Sequence, residues 1–437
     1  MKKNKMTVSL IQPQTKPQAR SQLQSQLQSQ SQLHLQLQAQ SQSLPLVPSL
    51  ILTVVLPSVV SAAALSAQLF VLPAYAQQSP DFAYTAEQWA GYRDNVLTFD
   101  EIPVLIHEYN PTVLKNAIDY KDQSDKSSTD IANSYYDSAE QIYNNMAYPD
   151  DESANFASGL SAYLNAQITY ENMMEQGDNN TNDNETYRLN YERQEANLVR
   201  QAKQQMVSYW NQYYSLDNYR RQIITAQNNL TAAEHKLAAG TGTASAKLQA
   251  EQALTSAQTA LTTAETGLKT TKENLCLMMG WSAGADVDIQ PVPEISAESI
   301  AAIDLNADIS AAKANNYTLR SLERQLGNAQ TASVKDQLTV TRDTAVRNIE
   351  NNVTNLHQSL LQSLTELNAS IETLSVRNAD LAAAGRKKAA GMMTDRDYAA
   401  AETAYQSAEV QARQKKLSLL NAWISYESAV QGLATTE

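Results

Sequence analysis

Proline is scarce and unevenly placed: of twelve, none falls between Pro149 and Pro291, and none follows Pro293. An interior proline removes a helix hydrogen bond and clashes with the preceding turn, so two proline-free stretches of about 140 residues each permit very long helices. Glycine is equally rare, with 12 in 437 residues, and neither a phosphate-binding glycine loop nor a nucleophile elbow is present. Cys276 is the single cysteine, which rules out an intrachain disulfide and reads as a structural thiol. The four histidines, His34, His107, His235 and His357, stand far apart, with no second histidine or cysteine at ligand spacing. No metal site, cofactor site or enzyme active site is expected.

Basic residues are also few. All 46 acidic residues lie beyond position 80, while Lys2, Lys3, Lys5, Lys16 and Arg20 precede it, leaving 28 positive charges against 46 negative ones in the remainder. Such a balance keeps an extended polar surface soluble and argues against nucleic acid or anionic lipid headgroups as partners.

The leader differs from everything after it. Residues 1–43 form a Gln/Ser/Leu low-complexity tract. From Leu44 to Ala76 the chain is uncharged and apolar, closing with Ala74-Tyr75-Ala76 before Gln77, the pattern of a secretory signal with an A-x-A cleavage site. A retained membrane anchor is the other reading of this run, although Pro45, Pro48, Pro57 and Pro73 make one continuous spanning helix awkward. Either way the bulk of the chain is expected to be exported to the cell envelope.

Heptads dominate the remainder. Ala250, Leu254, Ala257, Leu261, Ala264, Leu268, Thr271, Leu275 and Met278 follow at alternating steps of four and three, an unbroken seam. An earlier seam runs through Val199, Ala202, Met206, Tyr209, Tyr213, Leu216, then Ile223, Leu230 and Leu237, predicting a helix over about 187–238. A third, through Val346, Ile349, Val353, Leu356, Leu360, Leu367, Leu374 and Leu381, predicts one over 317–384, roughly 100 Å long at about 1.5 Å per residue. The fold class is all-α: long antiparallel coiled-coil helices in a bundle, with little or no β.

The bundle is duplicated. Ala238-Ala239-Gly240, Thr243, Ala250-Glu251-Gln252-Ala253 and Ser256-Ala257 match Ala389-Ala390-Gly391, Thr394, Ala401-Glu402-Thr403-Ala404 and Ser407-Ala408 at a fixed offset of 151 residues. In each copy a glycine can take the left-handed conformation that ends a helix, and a threonine three residues later can cap the next one. Asp397, three residues after Thr394, resembles the acid of a capping box. Lys415 is the clear intrusion into the second seam. The chain divides into a leader (1–76), a first helical repeat (77–290, tip near 240), a connector (291–316) with a short helix near 296–303, and a second repeat (317–437, tip near 391). Asn110-Pro111-Thr112-Val113 and Asn316-Tyr317-Thr318-Leu319 are similar lead-ins to the two repeats.

Signal peptide, duplicated helical unit, Asn-Pro lead-in, Gly-x-x-Thr tips and Ala-rich returning helices together resemble the TolC family of outer-membrane efflux and secretion channels, over most of residues 98–433. That resemblance implies three protomers forming an α-helical tunnel capped by one β-barrel, each repeat supplying two strands. It also implies tips that meet a periplasmic adaptor coupled to an inner-membrane pump, here Gly240 to Thr243 and Gly391 to Thr394. The chain departs from the pattern in length: 130 residues separate Asn110 from Gly240, but only 75 separate Asn316 from Gly391. The shortfall falls where the second strand pair belongs, and the second half holds no alternating segment of about 9–11 residues. In the first half, Leu160, Ala162, Leu164, Ala166, Ile168 and Tyr170 alternate as in a strand, but Leu160, Leu164 and Ile168 also fit a helix, which is the favoured reading. A barrel-less scaffold or adaptor of the cell envelope is therefore the alternative to a TolC-like channel component.

Overall fold

The computed structural model describes residues 84–150, 152 and 155–437; the low-complexity tract and the signal-like run lie outside them. A short N-terminal helix α1 (Ala86–Tyr92) leads through β1 (Val96–Leu97) to α2 (Ile102–Tyr109) and α3 (Pro111–Lys121). A helical hairpin follows, α4 (Ser128–Asn145) and α5 (Phe156–Asp178), and then the first long pair, α6 (Asn184–Ala238) and α7 (Ala244–Met278). The connector holds β2 (Asp288–Ile289), α8 (Ala297–Ala301) and α9 (Leu305–Asn315). Helix α10 (Tyr317–Asn328) precedes the second long pair, α11 (Ala332–Ala389) and α12 (Asp395–Ser428), and a π turn (Ala429–Leu433) ends the chain's last helix. Among the described residues the only strands are β1 and β2, paired in parallel over two residues each. No described helix is long and apolar enough to cross a membrane.

The long helices form because the chain supplies what their ends need and withholds what would break them. At 55 and 58 residues, α6 and α11 extend about 82 and 87 Å at about 1.5 Å per residue. Side chains of Asp183, Thr243, Thr331 and Thr394 accept the first free amide hydrogens of α6, α7, α11 and α12. Heptad side chains then zip the pairs. Ile349, Val353, Leu360 and Leu367 are buried in one core with Leu419 and Tyr426, while Ala202 and Met206 share another with Leu275 and Cys276. Full burial of a leucine or isoleucine in such a seam contributes roughly 1.5–3 kcal/mol. Tyr213 stays on the seam face but is half-exposed, its ring resting on Tyr209, Trp210 and Tyr214.

Two expectations need correction. The helix predicted over 317–384 is interrupted: Ala329 is extended at ψ 130°, separating α10 from α11. Tertiary hydrogen bonds make the break, for Asn328 Nδ2 donates to Thr181 O and to Asp183 Oδ2, both at 2.9 Å, and Thr331 starts α11 afresh. Asp397 does not complete a reciprocal box either, since its carboxylate accepts from the Thr394 hydroxyl at 2.8 Å. Leu160–Tyr170, ambiguous in sequence, is helical within α5, where Tyr163 and Tyr170 lie against Tyr148 and Tyr143. Lys415 fits its seam because it is half-exposed and its Nζ reaches Glu366 Oε2 at 2.7 Å on α11.

Each repeat is locked at its base by the same device. Asn110 Oδ1 accepts from Thr112 N and its Nδ2 donates to Met278 O at the end of α7, both at 2.9 Å. Likewise Asn316 Oδ1 accepts from Leu319 N at 2.9 Å, and its Nδ2 donates to Ala434 O at 2.8 Å. Beside each carbonyl a glycine with positive φ, Gly280 at 74° and Gly432 at 121°, packs on the residue preceding that asparagine. One further joint binds the repeats together: Asp183, 1% exposed at its side chain, accepts from Thr186 N, Asn328 Nδ2 and Arg324 Nε.

Candidate functional site

Both tips follow one construction. In the first, Gly240 takes φ 70°, Thr241 N donates to Lys236 O at 2.9 Å, and Thr243 Oγ1 accepts from Ala246 N at 3.2 Å. In the second, Gly391 takes φ 70°, Met392 N donates to Lys387 O at 2.8 Å, and Thr394 Oγ1 accepts from Asp397 N at 3.1 Å. Each glycine thus ends its helix with a Schellman-type bond, and each threonine opens the next helix. Charges suit the helix dipoles, with Arg386, Lys387 and Lys388 in the last turn of α11 and Asp395 and Asp397 in the first turn of α12. Met392 is 77% exposed at the second tip. Replacing Thr394 with alanine should destabilise the start of α12 by about 1 kcal/mol, seen as faster hydrogen exchange of the amides at Arg396 to Tyr398. Unchanged protection there would rule the cap out.

The two tips lie at one end of the molecule. Helix α7 runs antiparallel to α6, with Gln212 bonded to Thr271 and Lys247 paired with Glu234. Helix α12 runs antiparallel along the other side of α6, through Gln204 to Ser425, Ser215 to Gln414 and Arg221 to Gln406. With α11 packed outside α12, the order across the wall is α7, α6, α12, α11. The wall is therefore open, with α7 and α11 at its edges. On α11 the edge exposes Val340, Leu361 and Val376; on α7 it exposes Leu248 and Leu277. Along α7 the hydroxyls of Thr255, Thr259, Thr262, Thr266 and Thr270 each donate to the carbonyl four residues back, leaving small, methyl-bearing, uncharged bumps on that face.

Sequence reasoning placed Gly240, Thr243, Gly391 and Thr394 in turns but gave no sign of the edges, whose exposed residues fall between heptad positions. Elsewhere Cys276, Tyr426, His107 and His357 are engaged structurally. Burial pushes the Cys276 thiol up, and burial with a 2.6 Å hydrogen bond to Asp308 pushes the Tyr426 hydroxyl well up. His107 Nδ1 lies 2.9 Å from Glu195 on α6, and His357 packs beside Tyr426. Among the described residues no cluster of three or more His, Cys, Asp or Glu side chains is placed to hold a metal ion.

No family model matches the sequence, and no curated protein matches it. Solved structures do. A membrane protein from Pseudomonas aeruginosa is similar at 12% identity and a TM-score of 0.47, covering 76% of this chain and 93% of that one. The Campylobacter jejuni CmeC outer membrane channel is similar at 11% identity and a TM-score of 0.45, covering 81% and 89%. The outer membrane protein VceC from Vibrio cholerae is similar at 12% identity and a TM-score of 0.43, covering 80% and 99%.

Proposed function

We propose that the chain is a TolC-like, wall-forming component of an efflux or secretion system in the cell envelope. Other copies complete a helical tunnel, three in all by the family resemblance, and the paired tips dock a periplasmic adaptor coupled to an inner-membrane pump. The observation that carries this reading is the open four-helix wall with both tips at one end and, among the described residues, an uncovered edge on each side. Two different edges meeting between copies make a heterologous contact, which closes into a ring when its rotation permits. Small uncharged residues on α7 and the protruding Val340 and Val376 side chains on α11 suit close helix approach across that contact. The tips, displaying Met392 and helix-terminal charges, then face a partner together.

A second reading has its own support. Where the family carries its strand pairs, this chain has the α4–α5 hairpin in the first repeat and only residues 329–331 in the second. That favours a helical assembly without a barrel of the family's kind, acting as a cell-envelope scaffold or adaptor. Thr255 and Val376 are both exposed and lie 15 residues from their tip glycines. A Thr255→Cys/Val376→Cys variant treated with a thiol crosslinker should give covalent trimers on a denaturing gel if copies form the tunnel. Buried Cys276 contributes nothing to such products. Monomers alone at micromolar protein would sink the tunnel and leave the scaffold.

A further inference from the structure

One hairpin stands off the wall. Helices α4 and α5 pack on each other, Tyr143 against Tyr170 and Tyr148 against Phe156 and Tyr163. They rise from the end of α6 opposite its tip, where Asn184 N donates to Lys126 O at 3.0 Å and Asn180 Nδ2 to Ser128 O at 2.8 Å. Between Lys126 and Arg188 the chain contains no Lys, Arg or His, and residues 127–178 carry nine acidic side chains. On α5, Leu164 and Ile168 are 47% and 56% exposed. Glu171 and Glu175, also exposed, follow on the same line of the helix, since steps of four, three and four keep all four residues on one face.

We propose that this face docks a helix of a second protein that presents apolar side chains followed by lysines or arginines. The apolar pair alone would suit several occupants; charge decides among them. Anionic lipid headgroups are repelled by a hairpin with nine carboxylates and no cation. A second copy of the hairpin would bring two such uncompensated sets together. A cationic amphipathic helix covers Leu164 and Ile168 and neutralises Glu171 and Glu175, the mode in which a helix lays its apolar stripe on a complementary surface. Among the described residues Glu171 accepts from the neutral Gln167 amide alone, at 3.3 Å, so its charge is left for a partner. None of this rests on the tunnel reading, since no tip or edge side chain enters it.

The test titrates the full chain into a fluorescent leucine–lysine amphipathic peptide and follows anisotropy. Glu171→Lys with Glu175→Lys, and separately Leu164→Ser with Ile168→Ser, should each weaken binding about tenfold or more. Glu265→Lys with Glu372→Lys makes the same charge change at exposed wall positions and should leave binding within about twofold. A leucine–glutamate peptide of the same pattern should not bind. Equal losses in the wall variant, or unaffected hairpin variants of unchanged helicity by circular dichroism, would overturn the proposal. So would self-association or anionic-vesicle binding that Leu164→Ser with Ile168→Ser abolishes, because the occupant would then be a second copy or a membrane.

Discussion

Gly280→Ala is expected to destabilise the protein by about 3 kcal/mol, whereas Gly240→Ala should cost about 1 kcal/mol. Both glycines sit at nearly the same left-handed φ, 74° and 70°, so the backbone strain imposed by a Cβ is alike. Their surroundings differ. At Gly240 nothing lies within 4 Å of the added carbon, while at Gly280 it would meet Tyr109 Cβ at 2.5 Å and Tyr109 O at 2.9 Å. Relief would require moving the backbone of α2 away from α7, which breaks the Asn110 bond to Met278 O. Gly432→Ala should behave like Gly280→Ala, since its added carbon would lie 2.6 Å from Asn315 O at the equivalent joint of the second repeat. Urea unfolding of the three variants checks the ordering. Equal costs at Gly240 and Gly280 would mean that strain alone matters and that the joints are loose.

The pairing of Gly280 with Gly432 also marks the limit of what could be read before the fold was known. The tips were legible because one glycine and one threonine determine each turn locally, and the two copies keep a gap-free register. The seams through Ile349, Val353 and Leu360 were legible because period and proline scarcity agree over many turns. At the bases the register slips by one residue, from an offset of 151 to 152, and Met279 stands against Gln431, so no linear match exposes the shared joint. The interruption at Ala329 was hidden for a different reason. Its main cause is the loop at Thr181 to Asp183, roughly 145 residues earlier, and the local sign is only the weak helix propensity of Gly327 and Asn328. The wall edges escaped too, because what marks Val340 or Val376 is the lack of a covering neighbour among the described residues, a property no single helix pattern displays.

Asp183→Ala is expected to cost about 3 kcal/mol, because it strips one buried carboxylate from three donors at once. The side chain caps α6 through Thr186 N at 3.0 Å and receives Asn328 Nδ2 at 2.9 Å and Arg324 from α10. Arg324 is 52% exposed and can return to water, so its share of the loss is small. Thr186 N and Asn328 lose a buried acceptor and carry most of it. Burial alone would raise the carboxyl, but hydrogen bonds from Asn328 and Thr186 together with Arg324 outweigh it and hold the group below the ordinary carboxylate range. A depressed folded pKa fixes the sign of the pH dependence. Asp183 contributes its full stabilisation above about pH 4 and loses it as pH falls through the folded value. Many other carboxylates titrate in the same window, so the informative quantity is the difference between the protein and Asp183→Asn, whose amide does not titrate. That difference should be largest near neutrality and shrink steadily on acidification below about pH 4. A constant difference across that range would mean that Asp183 holds the repeats together by shape rather than by charge.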